Sequence, residues 1–264
     1  LILRAAIVSD LFTSLRTLPS SAKLLPGQSL FALGGIHMYS TPQKLSAEFI
    51  GAFALVFFGE GAICADQFLH GAGVGLFPIA IAHGLAIALM IMALGHVSGG
   101  HFNPAVTIGF WVTKRITTIE AVSYWVAQVA GAIAAAFLLK AVIPEETWRA
   151  VSLGAPGLTR DFTVLSGLIL EAVTTFFLVF TVFATAVDDR NSSRPVAGFC
   201  IGLIIALGIV VAGPFTGGAL NPARAFGPAL AANHWANQGV YWVGPLLGGF
   251  FAGLLYDSFF NRKP

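Results

Sequence analysis

Ser98-Gly99-Gly100-His101-Phe102-Asn103-Pro104-Ala105-Val106 and Thr216-Gly217-Gly218-Ala219-Leu220-Asn221-Pro222-Ala223-Arg224 are two versions of one segment. Each is a small, glycine-rich stretch that runs into Asn-Pro-Ala. Each lies in apolar sequence, and each has a Glu about fifty residues upstream, Glu48 and Glu171. A doubled motif in a doubled context is an internal repeat, and the repeat decides the fold.

Working outward, the whole chain is apolar. Of 264 residues, 56% are hydrophobic and 10% charged, against about 25% charged in soluble domains. The class is therefore an all-α membrane protein. The thirty glycines suit close helix approach, and Gly198/Gly202 and Gly249/Gly253 have the spacing of one helix face. A net charge of +2 gives no basis for a nucleic-acid partner. Cys64 and Cys200 lie in different apolar segments and read as small core residues rather than a disulfide or metal site.

Six long apolar segments cover 45–66, 76–95, 119–142, 163–187, 195–213 and 238–260, each close to the ~20 residues that a ~30 Å hydrocarbon core requires. Two shorter segments start at the Asn-Pro-Ala boxes and end near Val112 and Ala232. As helices they rise only about 16–18 Å, half a membrane. Residues 1–41 form an expected cytosolic tail without a secretory signal pattern. An interfacial amphipathic helix is the alternative there. The membrane domain follows over 42–262, as repeats of about 42–142 and 160–262.

Basic residues orient the chain. With both termini inside, the inner side receives Arg4, Arg16, Lys23, Lys44, Lys114, Arg115, Arg190, Arg194, Arg262 and Lys263. The outer side receives Arg149, Arg160 and Lys140. That is the positive-inside bias. Three spans per half is odd, so the second half enters inverted. One half-helix dips in from the cytosol and the other from outside, and their N-termini meet near the midplane. Non-helical backbone at that depth must be buried in protein or line a watery cavity. The glycine-rich runs are that backbone.

Asn is a favoured N-cap and Pro a favoured first helical residue. Asn103 and Asn221 thus cap the half-helices through their side-chain oxygens, leaving their NH₂ groups as donors at the membrane centre. A water accepting from both must turn its own hydrogens away, and a proton wire breaks there. Both half-helix dipoles also point their positive ends at the centre and repel cations. Upstream, carbonyls of Gly99, Gly100, His101, Gly217, Gly218 and Ala219 would form an acceptor ladder, with glycine permitting the dihedrals it needs. Glu48 and Glu171 lie within spans, where an ionisable group is costly and normally paired. They are expected to accept from loop N–H groups. An Asn-Pro cap without a pore role would explain one box easily, but two in inverted halves poorly.

With these residues in place, the sequence resembles the aquaporin (major intrinsic protein) family over about 42–262. Ala212-Gly213-Pro214-Phe215-Thr216-Gly217-Gly218 and Asn221-Pro222-Ala223-Arg224-Ala225-Phe226-Gly227-Pro228 look most like the tonoplast intrinsic branch or its prokaryotic relatives. The resemblance implies a right-handed bundle of six transmembrane helices and two re-entrant half-helices. It also implies a homotetramer with one pore per subunit, set in a lipid bilayer. It places a selectivity filter at His83, Ile209, Gly218 and Arg224. A water-only filter usually has Phe and His at the first two positions. Ile209 removes a donor, Gly218 takes no lumen space, and the set resembles members that pass ammonia with water. A fifth filter His in the third loop, seen in some of those relatives, has no counterpart in residues 143–162.

The expectation is a passive water channel that excludes protons and ions, with ammonia as an added solute. A broader channel for glycerol, urea or carbon dioxide is the alternative. Ala225 in place of the Asp of glycerol facilitators, and Tyr241-Trp242 early in the last span, favour water. A secondary transporter would need paired charges at the midplane, where this chain has amides. No nucleophile–base or metal constellation supports an enzyme, and no cofactor is implied. Glu60 reads as a vestibule or snorkelling residue at the outer end of the first span, and His96 as a structural hydrogen-bonder. His37, His70 and His234 lie outside the spans. Trp111, Trp125 and Trp242 read as packing or interface residues, and Asp188-Asp189-Arg190 as a short charged turn. The plasma (inner) membrane is the expected location, with the vacuolar membrane as alternative.

Overall fold

The structure is a computed structural model, and it describes residues 39–69 and 75–261. Most of the proposed tail, its amphipathic reading, His37, His70, Arg4, Arg16, Lys23, Arg262 and Lys263 lie outside these residues.

Among the described residues all regular structure is helical. The helices are α1 (Thr41–Phe68), α2 (Leu76–Ser98), α3 (Pro104–Val112), α4 (Thr118–Val142), α5 (Glu145–Ala150), α6 (Val164–Val182), α7 (Ala197–Thr216), α8 (Pro222–Ala232) and α9 (Gln238–Leu255). Single π turns extend α6 to Val187 and α9 to Phe260. Six helices are long and apolar enough to cross a membrane. The half-helices α3 and α8 have nine and eleven residues, about 14 and 17 Å of rise. Both end where their apolar runs end, at Val112 and Ala232, and the first rises less than the expected ~16–18 Å.

Two spans outrun their apolar runs. α2 continues to Ser98 and α7 to Thr216, because a buried Glu takes up the hydroxyl of each last residue. α1 starts early at Thr41, where Ser40 and Gln43 close a capping box.

The halves interlock. Within each repeat the first span packs on the second and third: α1 on α2 and α4, α6 on α7 and α9. Each half-helix, by contrast, packs on the third span of the other repeat, α3 on α9 and α8 on α4. The two second spans cross at the centre. Any Cβ on Gly84 would strike the carbonyl of Gly202, and one on Gly202 the carbonyl of Gly84. The expected glycine faces are used the same way, with Gly198 against Ala88, Gly249 against Ala105 and Gly253 against Gly109.

One end of the bundle gathers Lys44–Glu120 (2.8 Å), Arg115–Asp257 (2.6 Å) and the Asp188–Arg190 pair, whose guanidinium also reaches the carbonyl of Phe260. At the opposite end Lys140 donates to the carbonyl of Ala231 (2.6 Å), capping α8. The loop between α4 and α6 folds back over this end, burying Trp148 and Leu153.

Candidate functional site

Three of the four loop residues before each cap residue have positive φ: Gly99 (93°), Gly100 (65°) and, past His101, Phe102 (50°); Gly217 (85°), Gly218 (59°) and, past Ala219, Leu220 (52°). Glycine takes this conformation freely. Phe102 and Leu220 do not, and each costs on the order of 1–2 kcal/mol. They are held there by burial. The Phe102 ring occupies the space a side chain on Gly51 would need, and Leu220 that of Gly208.

The strain serves the midplane. It turns the carbonyl of residue 102 toward Asn221 and that of residue 220 toward Asn103. Asn103 Nδ2 donates to Leu220 O at 2.9 Å, and Asn221 Nδ2 donates to Phe102 O at 3.0 Å. The caps form as expected. Asn103 Oδ1 accepts from Ala105 N (2.8 Å), and Asn221 Oδ1 from Ala223 N (3.0 Å) and Arg224 N (3.2 Å). The amides are therefore less free than the sequence suggested. One hydrogen of each NH₂ ties the two loops together, and one is left for the lumen.

Each loop hangs from one carboxylate. Glu48 Oε1 accepts from Ser98 Oγ (2.6 Å) and His101 N (3.0 Å), and Oε2 from Phe102 N (2.6 Å). Glu171 Oε1 accepts from Thr216 Oγ1 (2.6 Å) and Ala219 N (2.9 Å), and Oε2 from Leu220 N (2.8 Å). Tyr124 OH donates to Ser98 O (2.7 Å), and Tyr241 OH to Thr216 O (2.8 Å). Gln128 adds a donor to Glu48 (2.7 Å) in the first half; position 245 of the second half is Pro. The sequence held a signal for these supports: Tyr124-Trp125 and Tyr241-Trp242 repeat as a pair, like the boxes.

The lumen runs past both Asn residues. His83, Ile209 and Arg224 line it, as do Gly99, Gly100, His101 and Ala219. Gly217 and Gly218 are not among its lining residues. A Cβ on Gly218 would meet the backbone of Ile209 and Gly213, and one on Gly217 would meet Pro156. Those two glycines seat the loop against α7 and the segment between α4 and α6. The rest of the wall is apolar. Ile87 and Ile91 follow His83 down α2, and Ile201 and Ile205 precede Ile209 on α7, in steps of four residues. Sequence reading missed these four, though the step of four from the filter positions would have found them. His101 packs its ring on Phe110 (4.2 Å between centroids) and its Nδ1 on Thr107 Oγ1 (3.1 Å).

Three side chains converge where α1, α2 and α8 meet beside the lumen. Arg224 Nη2 lies 3.2 Å from Glu60 Oε2 and 3.4 Å from His83 Nε2. His83 Nδ1 donates to Ile79 O (2.8 Å). The tautomer that satisfies both contacts has its proton on Nδ1 and its acceptor on Nε2. Glu60 corrects the sequence reading. It neither snorkels nor faces a vestibule; it is buried at 0% exposure. His96 also differs: it is exposed, edge-on to Tyr39 (5.7 Å). Trp125 donates to Pro104 O (3.2 Å), and Trp242 packs on Phe226.

Comparison with known proteins agrees with this architecture. The family described as Major intrinsic protein matches residues 36–256. The chain is 44% identical over 222 residues to "Aquaporin TIP4-4" of Zea mays, covering 82% of this chain and 86% of that one. It is 43% identical over 234 residues to "Probable aquaporin TIP2-1" of Oryza sativa subsp. japonica, covering 87% and 92%. Among solved structures, the aquaglyceroporin from Plasmodium falciparum superposes with a TM-score of 0.74 over 84% of this chain and 97% of that one, at 24% identity; this likeness concerns the fold.

Proposed function

This chain belongs to the major intrinsic protein family, and we propose that it conducts water passively along the lumen between its two repeats while excluding protons and ions. The observation that carries this is the reciprocal bonding of Asn103 and Asn221, which fixes two amides at the meeting point of two helix N-termini. A water accepting there has its hydrogens directed outward along the pore, so no continuous proton wire passes. Glu48 and Glu171 act as loop supports, Gly99, Gly100, His101 and Ala219 as lumen acceptors, and His83, Ile209 and Arg224 as the filter, with Gly218 behind its wall rather than in it. Members of this family are channels, not enzymes.

Ammonia is a second solute on this reading, favoured by one feature: Ile209 presents an apolar wall where a donor would otherwise demand hydrogen bonds. The channel unit is residues 42–262, behind a tail at 1–41. Both termini face the cytoplasm, consistent with Lys44, Arg115 and Arg190 sharing one end. The host is the plasma membrane on the sequence reading; the likeness to TIP relatives supports the vacuolar membrane instead. The assembly is a homotetramer with a pore in each subunit.

Stopped-flow light scattering on proteoliposomes tests the function. Water flux should rise over empty vesicles with an activation energy of about 5 kcal/mol, the scale of one hydrogen bond, and with no ion dependence. Steep temperature dependence or sodium coupling would exclude a channel. A companion panel of ammonia, urea and glycerol reads the solute range, and native mass spectrometry reads the assembly.

A further inference from the structure

The repeat is broken at one buried position that the box motifs do not touch. Glu48 corresponds to Glu171, so the residue twelve further on, Glu60, corresponds to Phe183. Arg224 in turn corresponds to Val106. In the inner half, Phe183 and Val106 belong to one apolar cluster, both buried. In the outer half the same two places hold a carboxylate and a guanidinium, 3.2 Å apart and 0% and 2% exposed. An ion pair has replaced an apolar pair across the repeat. A buried charge normally needs such a partner, and each of these residues supplies it to the other.

The surroundings single out this contact. Gly59 leaves room for the His83 ring, which a Cβ there would strike. Gly154 of the outer loop, with φ +76°, lies against the carboxylate, and a Cβ on it would fall 2.6 Å from Glu60 Oε2. The acid is thus closed in by α1, the loop, His83 and Arg224. Only Nη2 of Arg224 is engaged. Its Nε and Nη1 are buried without a protein partner among the described residues, and the residue lines the lumen.

We infer that Glu60 is a positioning and charge-compensating residue of the filter: it holds the Arg224 guanidinium to the pore wall by Nη2, turns Nε and Nη1 to the passing solute, and cancels the positive charge of the constriction. Cation exclusion then rests on the midplane dipoles and on desolvation, not on a bare arginine. This rests on the channel reading above, with Arg224 at the constriction.

The test uses the full chain in proteoliposomes at matched protein content, with water flux, urea flux and the collapse of an imposed proton gradient as readouts. E60V should free the guanidinium to cross the lumen and lower water flux severalfold, with urea reduced more. E60Q keeps an acceptor oxygen for Nη2 but removes the charge, so its water flux should fall below the parent and stay above that of E60V; E60Q equal to the parent would remove the charge-compensating role. R224V uncovers the buried carboxylate and should leak protons or potassium. The double variant E60V/R224V recreates the apolar pair of the inner half and should leak at least severalfold less than R224V. If R224V yields little folded protein, recovery of yield in the double variant supports the pair in the same sense. Unchanged water flux and water-to-urea ratio in E60V, or a double variant as leaky as R224V, overturns the inference. A parent without channel-type water flux overturns the channel reading, and this inference with it.

Discussion

Glu171 meets three donors with two oxygens, all of them inside the membrane-spanning bundle. Glu171→Ala orphans the N–H groups of Ala219 and Leu220, at about 1–3 kcal/mol for each buried donor left unpaired, while Thr216 Oγ1 retains the carbonyl of Ala212 (3.2 Å). The expected outcome is a large drop in the thermal midpoint in detergent, together with loss of water flux. Glu171→Gln keeps one acceptor oxygen and should fall between parent and Ala variant. Equal midpoints for all three would show that the carboxylate does not support the loop. At the filter, Ile209→His restores a donor to the lumen wall. A pH-gradient assay should then show reduced ammonia flux with water flux retained; absence of ammonia flux in the parent removes the ammonia reading altogether.

At the scale of elements, the pseudo-twofold makes paired predictions. Tyr124 and Tyr241 each donate one hydrogen bond to the last residue of a second span. Tyr124→Phe and Tyr241→Phe should each cost about 1 kcal/mol and shift the midpoint by similar amounts; a strong effect from one alone would break the equivalence. Gly84→Val and Gly202→Val place a side chain on a facing backbone carbonyl, so both should sharply lower the yield of monodisperse protein. The elements themselves were legible. The spans, the half-helices and the caps on Asn103 and Asn221 follow from hydropathy and N-cap chemistry, which are local. The supports were less so. Glu48 and Glu171 could be assigned to the loops because an acid in a span needs a partner. The burial of Glu60 could not, because its partner is 164 residues away and the outer end of a span also lets an acid reach water. The strained Phe102 and Leu220 were hidden because nothing in an apolar side chain announces a positive φ.

Across the whole molecule, the contacts at the Asp188 end of the bundle carry a pH dependence. Arg190 beside Asp188 holds that carboxyl below the ordinary carboxylate range, with a further hydrogen bond from Tyr256 OH (3.1 Å). A lowered folded value means the contribution is present above the unfolded value, near 3.9, and is lost as pH falls through the folded one. Thermal midpoints should therefore decline on acidification below about pH 4, and Asp188→Asn should flatten that decline; identical acid profiles would remove Asp188 from it.

The exchange of half-helices between repeats bears on how the chain is made. A ribosome that has delivered α1 to α4 has delivered a half-helix whose seat, α9, does not yet exist. The Asn103 amide waits for the carbonyl of Leu220, 117 residues later, and Asn221 bonds back to Phe102 across 119. The bonds that finish the first re-entrant loop can therefore form only after the second box has been made. The loop is completed only when the last span is inserted, so the closing step of biosynthesis is also the step that assembles the pore.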